Sequence, residues 1–170
     1  FQVVYSSDQL RAYQTALIVA AAAHIRTVLV DSRLREMYQG DWQGMLYSDI
    51  EQQYGDRYSA FLADPTMTPS PGGETVQQLA QRAVEAMNDL AHRYPDKHVL
   101  VVSHEFPLAA LRCISRGKPL NEVFEDPPRN GEAFSLDWPP PAHAVELAEN
   151  QNVDVFASRS GRGLFAESHS

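Results

Sequence analysis

Three residues far apart in the chain carry most of the chemistry the sequence offers: Arg11, Glu36 and His104. His104 closes the run Lys97-His98-Val99-Leu100-Val101-Val102-Ser103-His104, in which the four apolar residues read as a strand buried on both faces. The apolar pattern after it (Phe106, Leu108, Ala109, Leu111, Ile114) has helical spacing. Pro107 suits the first turn, where a missing N–H is no loss. His104 is therefore expected where a buried strand hands over to a helix. In open α/β sheets that edge, outside the carboxyl ends of the strands, is where ligands bind. An imidazole there can titrate, accept a phosphoryl group or donate to an anion. The plainer alternative is a histidine that only caps the helix.

Arg11 stands in the first turn of another helical pattern. Gln2 to Tyr5 reads as a strand, Ser6-Ser7-Asp8 as a helix start, and Leu10, Tyr13, Leu17, Ala20 and Ala21 as an apolar stripe. A cation in that turn faces the positive end of the helix dipole. It makes sense when an anion is shared between backbone N–H groups and the guanidinium, with a solvated surface arginine as the alternative. Glu36 lies just past a further strand, Thr27 to Val30, in Leu34 to Gly44, a stretch without a clean period that reads as an ordered loop. It is placed to face the same crevice, unless it is a plain surface glutamate.

The elements that must position these residues follow from the rest of the pattern. Leu46 to Leu62 suggests one or two short helices broken near Gly55, and Asp64 to Gly73 a loop. Thr75 and Gln78 form a capping-box pattern ahead of an amphipathic helix with Val76, Leu79, Ala80, Ala83, Val84, Met87 and Leu90 on one stripe. After a helix ending near Arg116-Gly117, Pro119 to Asn130 reads as a short helix and a loop. Glu132 to Trp138 alternates like a strand, and Ala144 to Ala148 suggests another. The expected organisation is one domain over 1–148 followed by a partly ordered tail, 149–170. Alternating helices and strands point to a three-layer α/β/α domain with a mostly parallel sheet.

The 170 residues are enough for one sizeable core, and a formal charge of −8 argues against a nucleic-acid partner. No apolar run approaches the ~20 residues needed to span a bilayer. The single cysteine, Cys113, sits in a helical apolar stripe and permits no internal disulfide; a reducing cytoplasm is the expected compartment.

Four segments together resemble the histidine phosphatase superfamily, with its phosphoglycerate-mutase-like fold. They are Val4-Tyr5-Ser6-Ser7-Asp8-Gln9-Leu10-Arg11-Ala12-Tyr13-Gln14-Thr15-Ala16, Leu34-Arg35-Glu36-Met37 through Gly40-Asp41-Trp42-Gln43-Gly44, Pro71-Gly72-Gly73-Glu74-Thr75, and Val99 to His104. Among subgroups the chain looks most like the small phosphatases around α-ribazole phosphatase. The resemblance implies that Arg11 binds phosphate, that Glu36 gives a proton to the leaving oxygen, and that His104 stabilises the phosphoryl group in flight. The N–H of Glu105 is implied as a further phosphate contact. Family members transfer the phosphoryl group to a histidine in an Arg-His-Gly motif on their first strand. The scheme requires no metal or other cofactor, and the sequence offers no cluster of metal ligands.

Two departures matter. None of the six histidines (His24, His92, His98, His104, His143, His169) follows an arginine and precedes a glycine. Because the sequence opens inside a strand, the expectation is that the first strand and its nucleophile lie upstream, leaving this chain inactive by itself, poorly stable and prone to aggregate. Glu105 replaces the glycine usual after the second histidine and sets a carboxylate beside an anion site. The function expected is a metal-independent phosphomonoesterase acting on a small phosphorylated substrate. A phosphoglycerate-mutase-type phosphotransferase and a non-catalytic phosphate-binding module are the alternatives.

Overall fold

Strand β1 (Val3–Ser6) lies at the centre of a three-stranded parallel sheet, between β2 (Val28–Val30) and β3 (Val99–Val102). The computed structural model describes residues 1–155. Val4 is level with Val28 and Leu100, and Tyr5 with Leu29 and Val101. Because strand side chains alternate, the two faces receive different partners. Val4, Val28, Leu100 and Val102 pack under α1 (Leu10–Ala22), whereas Val3, Tyr5, Val99 and Val101 pack under α3 (Val76–Arg93). Helix, sheet and helix make the three layers expected.

The inner face of α1 is made of alanines. Ala12, Ala16 and Ala20, four residues apart, are buried, while Leu10 and Ile18 are 68% and 72% exposed. Of the stripe read from Leu10, Tyr13, Leu17, Ala20 and Ala21, only Ala20 is therefore buried. Only a methyl-sized side chain fits where this helix lies close on β-branched strand residues. β3 also departs from expectation. Its residues are half-buried, because it pairs with β1 alone and no strand among the described residues pairs with its other edge. That edge opens on a cavity of about 980 Å3 lined in part by Tyr94, Val99, Val101, Leu136 and Trp138.

The larger core lies beyond α3. Val76, Leu79, Ala80, Ala83 and Val84 meet Ala109, Ala110, Leu111 and Ile114 of α4 (Glu105–Ser115). The capping box forms as expected: Thr75 Oγ1 accepts the Gln78 N–H at 3.1 Å, and Gln78 Oε1 accepts the Thr75 N–H at 2.9 Å. Helix α2 (Tyr47–Ala63) is kinked at Tyr54, beside the expected break at Gly55. Its Tyr54, Tyr58 and Phe61 set their rings edge-on to buried Trp42, with centroids 5.4 to 5.9 Å apart. Cys113 is buried, which pushes its thiol up to about 11.

Two strands read from sequence are not strands. Residues 132–138 keep the alternation, with Phe134, Leu136 and Trp138 half-buried and Ala133, Ser135 and Asp137 exposed, but they pair with no neighbouring strand. Side chains anchor them instead. The Arg112 guanidinium lies 4.0 Å from the Phe134 ring centroid, and Trp138 Nε1 donates to Asn88 Oδ1 at 2.8 Å. Ala144 to Ala148 belongs to helix α5 (Ala142–Asn150), which buries Ala144, Val145 and Ala148. A run this short and alanine-rich fits either period. Val153 and Val155 are buried beyond it; the remainder of the expected tail, 156–170, lies outside the described residues. No helix among the described residues is long and apolar enough to cross a membrane.

Candidate active site

His104 stands at the junction of β3 and α4, as expected, directly before the first residue of the helix, but its side chain does not cap that helix. Its backbone is extended (φ −128°, ψ 175°) and its side chain makes no capping bond. The ring is 7% exposed and turns to Ser7, with Nε2 2.9 Å from Ser7 Oγ. Ser7 follows β1 directly, and its N–H donates to the Val102 carbonyl at 2.9 Å, closing the carboxyl ends of β1 and β3 together. Burial, followed by the charges of Arg11 and Arg82, holds the imidazole down to about 4, against the opposing pull of Asp8. At neutral pH the ring carries no charge.

Glu36 comes just after the short helical turn Ser32–Leu34 that follows β2. Its carboxylate turns inward: Oε1 accepts the N–H of Met37 at 2.8 Å and of Phe106 at 3.3 Å. Burial raises its pKa, and Glu105 adds to the rise, against the two backbone N–H groups and Arg11. The result is a carboxyl group that keeps its proton to higher pH than an ordinary glutamate. Arg11, the second residue of α1, is exposed and its side chain holds no ion pair among the described residues. Its charge reaches both Glu36 and His104. Arginine, acid and imidazole thus share one electrostatic neighbourhood at the carboxyl rim of the sheet.

Glu105 opens α4 with its side chain exposed, and its N–H makes no hydrogen bond among the described residues. The carboxylate is close enough to disfavour ionisation of Glu36 and of Tyr47 on α2. Its negative charge therefore acts on Glu36, the group that Arg11 also reaches, and so bears on the same end of the sheet.

Sequence reading missed the residues that hold these groups. Ser7 and the Arg82–Glu74 pair are the main ones. Arg82, projecting from α3, donates to Glu74 (Nη2 to Oε1, 2.7 Å) and to the carbonyls of Arg33 (2.6 Å), Arg35 (2.8 Å) and Glu36 (3.1 Å). Glu74 in turn accepts the Tyr38 N–H at 2.8 Å. One guanidinium therefore fixes the backbone on both sides of Arg35 and at Glu36 itself. The two loops involved touch backbone to backbone: Asp41 N–H donates to the Pro71 carbonyl at 2.9 Å, and a Cβ on Gly40 would lie 2.0 Å from that oxygen. Gly40 also has φ +50°, so glycine is required there twice over. The paired glycines after Pro71 were the available signal. At the rim, Arg35 and Asp8 make a two-bond ion pair (2.7 Å and 2.5 Å).

A family model described as histidine phosphatase superfamily (branch 1) matches residues 1–151. The chain belongs to the histidine phosphatase superfamily. Phosphoserine phosphatase 1 of Hydrogenobacter thermophilus is 30% identical to this histidine phosphatase homologue over 122 residues, 72% of this chain and 57% of that protein. The metal-independent phosphoserine phosphatase of Arabidopsis thaliana is 34% identical over 124 residues, 69% of this chain and 52% of that protein. The chain thus spans a little over half the length of these relatives. Among solved structures, Bacillus stearothermophilus YhfR superposes with a TM-score of 0.69 at 27% identity, over 85% of this chain and 76% of that one. The α-ribazole phosphatase of Shigella flexneri superposes with a TM-score of 0.66 at 27% identity, over 76% and 63%.

Proposed function

We propose that this chain supplies the phosphate grip, proton donor and second histidine of a metal-independent phosphomonoesterase that works through a phosphohistidine. The observation that carries this reading is the meeting of a buried Glu36, its carboxyl turned inward on the Met37 and Phe106 N–H groups and its pKa raised by burial, with an uncommitted Arg11 and an uncharged His104 at one sheet edge. Phosphoryl transfer asks the protein mainly for position and for positive charge on the equatorial oxygens, plus a proton for the departing oxygen. Arg11 offers the charge and Glu36 the proton.

The nucleophile is assigned to an Arg-His-Gly strand outside these 170 residues. In support, the outer edge of β3 pairs with no strand among the described residues and borders a cavity, so a strand added there would end next to His104. In the first half-reaction the nucleophilic imidazole nitrogen bonds to phosphorus. The ester P–O bond breaks, and the leaving oxygen takes the Glu36 proton. In the second, water attacks phosphorus, the P–N bond breaks, and the Glu36 carboxylate takes the proton from water. Arg11 and His104 hold the non-bridging oxygens throughout. The substrate is a small phosphate ester, and a buried, unpaired Cys113 fits a reducing cytoplasm.

The test is turnover of p-nitrophenyl phosphate by the complete gene product. His104→Ala is expected to lower it by orders of magnitude, and the 170-residue chain alone to show none. Undiminished turnover in His104→Ala, or full activity of the 170 residues alone, would overturn the reading.

A further inference from the structure

We infer that Ser7 is a positioning residue that fixes His104 as the tautomer carrying its proton on Nδ1, so that this N–H donates to the phosphoryl group. The inference rests on the phosphatase reading for its function, but the tautomer itself is independent of it. The argument begins with the hydroxyl. Ser7 is fully buried, and its Oγ has two neighbours among the described residues: the Gln9 N–H, 3.2 Å away, and His104 Nε2, 2.9 Å away. A serine hydroxyl has one proton to give and two lone pairs to receive with. The Gln9 N–H occupies a lone pair.

Two arrangements remain. If Nε2 carried the ring proton, Ser7 would accept twice and its own proton would have no acceptor. A buried donor left without an acceptor loses its hydration with nothing in exchange, which disfavours this arrangement. If Ser7 donates to Nε2, the buried hydroxyl gives its proton and accepts the Gln9 N–H, and the ring proton must sit on Nδ1. That nitrogen makes no hydrogen bond among the described residues. The choice matters for sign as well as geometry. An Nδ1 lone pair would repel a phosphoryl oxygen, whereas an Nδ1–H attracts it. The nearby charges that bear on the ring are Arg11, Arg82 and Asp8, and the two cations together with burial keep it from gaining a second proton.

The experiment is long-range 1H–15N correlation NMR of the complete gene product labelled at histidine. His104 is assigned by comparison with His104→Asn and read at pH 7. The wild type is expected to show a single neutral Nδ1–H tautomer, and Ser7→Ala a mixture or the Nε2–H form. Ser7→Cys, close in volume and a weaker donor, is expected to retain the Nδ1–H form in part. With p-nitrophenyl phosphate, Ser7→Ala should lower kcat roughly 10- to 100-fold with little change in KM. An Nε2–H ring or an imidazolium in the wild type would overturn the inference, as would an unaltered tautomer in Ser7→Ala. If Ser7→Ala does not fold, the wild-type spectrum and Ser7→Cys still decide. Absence of phosphatase activity in the wild type would instead defeat the phosphatase reading, leaving the tautomer to be settled by the spectrum.

Discussion

The carboxylate of Glu36 accepts the backbone N–H of Phe106 at 3.3 Å, across 70 residues of sequence. Phe106 is the second residue of the helix that His104 leads into, so the acid is held by the same helix end that holds the imidazole. This bond ties the loop after β2 to the start of α4, and with it the acid to the rest of the site.

Replacing Glu36 separates proton donation from phosphate binding. In the complete gene product, Glu36→Gln is expected to lower kcat for an alkyl phosphate about 10²–10⁴-fold, and much less for p-nitrophenyl phosphate, whose leaving group needs no proton. Because burial raises the Glu36 pKa, the wild-type rate on alkyl esters should fall as pH rises through that raised value. Steady-state kinetics against pH will show whether this descending limb vanishes in Glu36→Gln.

In the proposed site Glu105 stands as a negative charge against a phosphate. Removing that charge in Glu105→Gln should tighten inorganic phosphate binding roughly three- to ten-fold, on the order of 1 kcal/mol for a solvated charge pair. The gain should shrink at high salt. Calorimetric titration with phosphate at two ionic strengths measures both effects.

Arg82→Ala removes one side chain and strands three carbonyls and a carboxylate. A loss of about 2–4 kcal/mol of unfolding free energy is expected, from urea denaturation. Arg82→Lys should recover only part of it, because a single ammonium cannot span those acceptors.

His104 makes stability depend on pH in a definite direction. Its folded pKa of about 4 lies below the ordinary 6.5, so the neutral ring favours the folded state above pH 6.5. As pH falls from there toward about 4, unfolded chains bind the proton first and that contribution is lost. The difference is on the order of 3 kcal/mol, taking ~1.4 kcal/mol per pH unit. Urea midpoints at pH 7 and 4.5 should therefore fall further in the wild type than in His104→Gln, with the carboxylates common to both cancelling.

The strand-to-helix junction at His104 was legible because a short apolar run, a proline in the next turn and a helical stripe all agree locally. The capping box at Thr75 and Gln78 was legible for the same reason. What sequence could not show was whether a segment finds a partner. Residues 132–138 alternate correctly and bury alternate side chains, yet a strand exists only where another backbone meets it. Periodicity also misjudged α1, since it weights Leu10 and Leu17 above alanine, whereas contact with the sheet selects the smallest side chain. Arg11, Glu36 and His104 could be singled out by type and place. Ser7 and Arg82 could not, because their importance is a matter of which buried atoms they satisfy.

The alanine face of α1 sets a standoff. Arg11 rides on a helix whose height above the sheet is fixed by Ala12, Ala16 and Ala20. A bulkier residue such as leucine at Ala16 would act as a shim, lifting the first turn and carrying the guanidinium away from Glu36 and His104, and so from the phosphoryl group of the proposed reaction. The reach of the proposed phosphate arginine is thus calibrated more than a full turn away, by side chains that lie against the sheet instead of the site.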